Sequence, residues 1–125
     1  MKRIVFDAGA LIALERRDPC VLALLSELIS SRLTAEVPAG VVGQVWRGSA
    51  RQHAMARLLR TGTLRVEPMT EEVALHVGLL LASTGAKDVT DAHVALLAQK
   101  LNAQVVTSDP DDLRQLDATL NIVTV

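Results

Sequence analysis

The chain is poor in the residues that most often advertise chemistry. Cys20 is the one cysteine in 125 residues, which excludes an internal disulfide and a thiolate metal cluster and leaves a small buried side chain as the plain expectation. With no tyrosine, one phenylalanine and one tryptophan, the chain has no aromatic platform for stacking bases. No apolar run approaches the roughly 18–20 residues of a membrane span. The opening MKRIVFD meets an acid after three apolar residues, unlike a secretory leader. The expectation is a cytoplasmic protein with no membrane association. Internal repeats, low-complexity tracts and linkers are also missing. The length, with 50% hydrophobic residues, suits one domain around one core, so residues 1–125 are expected to form a single domain.

A net charge of −1 conceals an uneven distribution. Residues 37–66 hold five arginines (Arg47, Arg51, Arg57, Arg60 and Arg65) and no acid, whereas residues 67–125 hold three basic and nine acidic side chains. A basic middle beside an acidic end suggests a cation site next to a surface that meets an anion. Arginines on the wet face of an ordinary helix would give the same count.

Short β-branched runs alternate with longer helical patterns. RIVF (3–6), AEV (35–37), LRV (64–66), QVVT (104–107) and NIVTV (121–125) read as strands. Helical spacing covers about 9–15, 20–31, 40–60, 70–84, 89–101 and 110–116, and Gly48-Ser49 is a point where the middle helix can divide. Gly62 is placed to end that helix and Thr70 to open the next. This alternation predicts an α/β fold, a three-layer α/β/α sandwich around a parallel sheet of about five strands.

In such a sheet, ligands bind outside the carboxyl ends of the strands. Asp7 follows the first strand and Asp109 the fourth, two residues after Thr107, while Asp88 and Asp91 open the helix that leads into the fourth strand. All four acids can share one rim. Two bare charges about 4 Å apart repel by roughly 1–4 kcal/mol at effective dielectrics between water and protein surface, and a divalent cation relieves that directly. An all-oxygen donor set selects Mg²⁺ or Mn²⁺, and the matching chemistry is phosphodiester hydrolysis by metal-activated water. Helix capping is an alternative role for Asp88, Asp91 and Asp109, and Asp111 and Asp112 read as first-turn helix acids. Asp7 has the least to gain structurally.

Three stretches, IVFDAGALIAL, DVTDAHVALLA (88–98) and VVTSDPDDL (105–113), together resemble the PIN-domain nucleases, and the chain's size resembles VapC-type toxins of bacterial toxin–antitoxin pairs. The resemblance implies a four-acid site that binds Mg²⁺ or Mn²⁺ and cuts RNA, a homodimer, and neutralisation by a cognate VapB-type antitoxin. Carried over by position, Asp7, Asp91 and Asp109 match three of the acids as catalytic metal ligands, Thr107 the strand-end hydroxyl and Asp88 an accessory acid. Gln44 stands where the family's second acid, a glutamate, is usual, and Gly9 where many relatives have Ser or Thr. An amide oxygen can accept hydrogen bonds or ligate weakly but brings no charge. The expected site therefore keeps one main metal on Asp7, Asp91 and Asp109. A catalytically silent RNA-binding or regulatory partner of the same fold is the alternative.

Arg47 and Arg51, at i, i+4 after Gln44, are expected to hold RNA phosphates from one helical face. Trp46 is expected to pack, and His53, His76 and His93 to be structural or surface residues. An antitoxin groove would use apolar helix faces and Trp46, with an antitoxin arginine entering the acidic pocket. A receiver-like phosphoacceptor domain lacks its acidic pair after strand one here, and a haloacid-dehalogenase-type phosphatase lacks Asp-x-Asp, since the stretch is Asp7-Ala8-Gly9.

Overall fold

Three consecutive apolar residues such as Ile4, Val5 and Phe6 are fully satisfied only in a strand covered on both faces. In the computed structural model, which describes residues 3–125, all three are completely buried. They form β1 (Ile4–Phe6), the centre of a five-stranded parallel sheet with β2 (Ala35–Pro38), β3 (Leu64–Glu67), β4 (Gln104–Thr107) and β5 (Asn121–Thr124). The order is β3-β2-β1-β4-β5, with Val5 level with Glu36 on one side and Val105 on the other. Every strand expected from the sequence is present.

The helices are α1 (Ala8–Glu15), α2 (Pro19–Ser30), α3 (Ala39–Val45), α4 (His53–Thr61), α5 (Glu71–Thr84), α6 (Val89–Leu101) and α7 (Pro110–Leu116). Helix α1 packs with α2, α3 and α4 in one layer, and α6 packs with α5 and α7 in the other, which gives the expected α/β/α sandwich. Their ends follow local chemistry. Asp18 Oδ1 accepts the Cys20 and Val21 N–H groups at 2.9 and 3.1 Å ahead of Pro19, and Thr70 caps α5 through Val73 N–H. Gly62, at φ 79°, closes α4 in the left-handed conformation that favours glycine.

The middle helical pattern divides as Gly48-Ser49 allowed. Helix α3 stops at Val45, Trp46 is extended, Gly48 takes φ 68°, and a 3₁₀ turn over Ala50–Gln52 restarts the chain into α4. The buried Gln52 side chain secures this break: its Nε2 donates to Val45 O at 2.7 Å, and its Oε1 accepts Arg47 N–H at 2.8 Å. Two expectations fail here. Cys20 is exposed at the start of α2, because the capped first turn faces solvent. Trp46 is 37% exposed, because the chain leaves α3 at that residue.

Strand β1 lies between β2 and β4; the connection leaving β1 runs through α1 and α2 on one face of the sheet, and the connection entering β4 runs through α5 and α6 on the other. This topological switch opens a crevice outside the carboxyl ends of β1 and β4.

Candidate functional site

Asp7 enters the crevice from β1. Its main-chain N–H still reaches Val106 O on β4 at 3.4 Å, and its Oδ1 accepts Ala10 N–H at 2.9 Å. The carboxylate therefore caps α1, a structural role that the sequence reading did not give it. Burial raises its pKa, opposed by the Thr107 hydroxyl and the N–H groups of Ala10 and Gly9. Thr107, completely buried at the end of β4, also accepts Asp109 N–H at 2.8 Å and so links the two acids. Gly9 packs closely here: a Cβ there would overlap the Ser108 hydroxyl, which would have to turn away, and stand 3.0 Å from Ser108 N.

Asp109 occupies the N-cap position of α7, but its side chain makes no capping bond. The capping role open to it from sequence is thus not taken up. The neighbouring Asp112 carboxyl raises the Asp109 pKa through a hydrogen bond and through its charge, with smaller contributions from burial, Asp111 and Asp7. Sequence gave Asp112 only a place in a helix's first turn; its spacing of three from Asp109 was the available signal.

Asp88 does cap α6, since its Oδ1 accepts Asp91 N–H at 2.9 Å and the Thr90 hydroxyl at 2.7 Å. The Asp91 carboxyl is pushed up from 3.8 to about 6, first by burial and then by Asp88, Asp7, Asp112 and Asp109. Asp7, Asp88 and Asp109, with Asp112 beside them, thus all act on one carboxyl. Gln44 reaches the same rim from α3, its Nε2 donating to Thr90 Oγ1 at 2.9 Å.

The arginines do not gather there as expected. Arg47 and Arg51 lie on different elements because α3 ends between Gln44 and Arg47, so they share no helical face. Arg47 Nη1 folds back onto the carbonyls of Trp46 and Gly43 at 2.7 and 3.2 Å. Arg51 lies 3.9 Å from Glu15 at the far end of α1, roughly 12 Å along that helix from Asp7. His93 is buried on the face of α6 turned away from the acids, and its Nδ1 has no partner. Burial lowers its pKa against the opposing charge of Glu67.

Among the described residues, no three His, Cys, Asp or Glu side chains stand close enough to hold a metal ion as a ready cage. The donor chemistry nevertheless fits a hard divalent cation. The donors are all oxygens, and their charges burden one another, while Mg²⁺ typically takes one or two carboxylates and keeps several waters. Asp7, Asp91 and Asp109 are the side chains that would hold it.

The sequence model of the PIN domain matches residues 4–118. The chain belongs to the PIN-domain family. Solved structures similar to this PIN domain include VapBC2 from Rickettsia felis bound to a DNA fragment from its promoter, with TM-score 0.71, 14% identity and 98% of each chain covered. FitAB bound to the IR36 DNA fragment matches with TM-score 0.64 and 21% identity over 97% of this chain and 94% of that one. A protein from Pyrobaculum aerophilum matches with TM-score 0.60 and 21% identity over 97% of this chain and 83% of that one. No curated protein matches the sequence. At these identities the structural likenesses establish the fold of this PIN domain.

Proposed function

We propose that this PIN domain is a metal-dependent endoribonuclease of the VapC toxin type, acting as a single catalytic domain over residues 1–125. The observation that carries the reading is the crowding of carboxylates at the switch point: burial and neighbouring acids raise the pKa of Asp91, Asp112 leads in raising that of Asp109, and Asp7, itself raised by burial, adds its charge to both. A bound Mg²⁺ or Mn²⁺ supplies charge neutralisation and activation of water for phosphodiester hydrolysis. Asp7, fixed by Ala10 N–H, Asp91 and Asp109 are its proposed ligands. Thr107 keeps the first and last of these in register, and Asp88 orders the start of α6 beneath Asp91. Arg47, which follows the end of α3 three residues after Gln44, is nearer the rim than Arg51, which lies beside Glu15 at the far end of α1, and an RNA phosphate would draw the Arg47 guanidinium off the Trp46 and Gly43 carbonyls. With few aromatic side chains, RNA would be recognised by shape and polar contacts.

The partners follow from the same reading. A cleft of about 450 Å³ between α1, α2 and α4, with Leu14, Leu22, Leu25, Ile29 and Leu58 in its walls, suits an apolar segment of a VapB-type antitoxin. Leu75 and Leu79, 65% and 69% exposed one turn apart on α5, offer an apolar face to a second copy in a homodimer. No described helix is long and apolar enough to cross a membrane, and a cytoplasmic location is proposed with the toxin role.

Gln44 and the lack of a ready metal cage favour one rival, a catalytically silent partner of the same fold. RNA cleavage by the antitoxin-free protein in Mn²⁺ or Mg²⁺, beside Asp91→Asn and a chelator control, separates the two. Metal-dependent cleavage lost in the variant is expected. A correctly folded protein that leaves a panel of structured RNAs intact would establish the silent reading instead.

A further inference from the structure

Gln44 brings no charge to the crevice, yet its side chain is tied to a defined partner. Its Nε2 donates to Thr90 Oγ1 at 2.9 Å, and Thr90 Oγ1 donates to Asp88 Oδ1 at 2.7 Å. A threonine hydroxyl has one proton to give. The capping carboxylate of Asp88 is the stronger and nearer acceptor, so the proton goes there. The Thr90 oxygen is then left only lone pairs for Gln44, and only the amide NH₂ can face it. Turning the amide over would set two bare oxygens against each other or strip the bond from Asp88. The orientation of Gln44 is thus fixed by proton bookkeeping, and its Oε1 is left free of protein partners among the described residues.

Packing aims the hydroxyl. A Cβ at Gly40 would lie 2.7 Å from Thr90 Cγ2, so α3 and α6 approach closely where the threonine methyl is seated. Threonine in a helix divides between two χ1 rotamers; the seated methyl selects one, and the hydroxyl then stands between Gln44 and Asp88.

We infer that Thr90 is a positioning residue that holds the Gln44 amide with its nitrogen inward and its carbonyl oxygen presented to the acidic rim, as a neutral donor toward the divalent cation. The inference rests on the nuclease reading proposed above and adds a residue to it. Thr90 acts through Gln44 and touches no reacting atom.

The test uses RNA-free protein. Mn²⁺ binding is measured by calorimetry, and the order of the Gln44 side-chain amide by ¹⁵N relaxation in the metal-free state, for wild type, Thr90→Val and Thr90→Ser. Loss of an outer partner of a metal ligand typically weakens affinity by 10–100-fold, and a neutral amide puts the expected effect of Thr90→Val at about 10-fold. The same variant should free the Gln44 amide, while Thr90→Ser, which keeps the hydroxyl, restores both readouts. A Thr90→Val protein that binds Mn²⁺ as tightly as a measurable wild type overturns the positioning role and leaves the nuclease reading intact. A wild type that binds no Mn²⁺ while its Gln44 amide is ordered overturns the nuclease reading, and the inference with it.

Discussion

Asp91→Asn should stabilise the metal-free protein at alkaline pH, although it removes a proposed ligand. The Asp91 carboxyl is raised from its ordinary 3.8 to about 6 by burial and by Asp88, Asp7, Asp112 and Asp109. At 1.36 kcal/mol per pH unit, that difference corresponds to a ceiling of about 3 kcal/mol for holding the charged form in the fold. Asp91 is only half-buried, and solvent screening reduces the expected gain to about 1.5 kcal/mol, or roughly 5 °C in Tm for a domain of this size. A raised carboxyl favours the fold below its unfolded value, and the advantage is lost as pH rises through the folded one. The variant and wild type should therefore coincide near pH 3.5, diverge between about pH 4 and 6, and stay apart above that. Chelator-treated protein, melted across this range, gives the curve. Mn²⁺ at 100 times its Kd should then add about 2.7 kcal/mol to wild type and less to the variant. An Asn variant that is less stable at pH 8, or offset equally at every pH, refutes the account of Asp91 as a carboxyl raised by burial and by its acidic neighbours.

Gln44→Glu adds a charge to the rim and should tighten Mn²⁺ binding by about 10-fold, as ligand charge count dictates; the new carboxylate, having no N–H to give, loses the bond to Thr90 unless it competes with Asp88 for the hydroxyl. Unchanged affinity and cleavage would remove the account of Gln44 as a weaker donor. Arg47→Ala should lower the slope of log affinity for RNA against log salt by about 1, whereas Arg51→Ala should leave the slope alone, and equal slopes in all three proteins would argue against a phosphate contact at Arg47. Gly9→Ala should cost about 1–3 kcal/mol in chemical denaturation by overpacking against Ser108. Removing the obstructing hydroxyl with Ser108→Ala should recover part of it, and strict additivity of the two changes would show the contact to be unimportant.

Much of the fold was legible because buried parallel strands write themselves as short apolar runs, as in IVF and QVVT, and because Thr70 and Gly62 mark helix ends by local chemistry. Asp7 and Asp109 were legible for the same reason, since each follows a strand end. The failures come from contacts made across distance. Arg47 and Arg51 keep helical spacing in sequence, but Gln52, a polar residue with no visible assignment, turns back to the end of α3 and holds the chain out of helix between them. Thr90 carries no signal in the sequence; its contacts depend on Gln44, 46 residues away, and on the gap left by Gly40. His93 shows no polar partner in sequence or in structure, and its burial follows only from how α6 is rotated against the sheet.

The seating of the acids has a mechanical consequence. Asp7 and Asp109 follow the ends of adjacent strands, β1 and β4, paired from Ile4–Gln104 to Phe6–Val106 at the centre of the sheet, where main-chain amides are expected to exchange with solvent mainly through opening of the whole fold. Asp91 stands on the first turn of α6, held at its tip by side-chain bonds from Asp88 and packed on α3 through Thr90. The crevice thus has a fixed jaw and an adjustable one. Fitting a cation or a phosphate should register as protection or release of amides in the first turn of α6, with β1 and β4 unchanged. Substitutions that retune affinity without unfolding the protein should fall on the α3–α6 contact rather than on the strands.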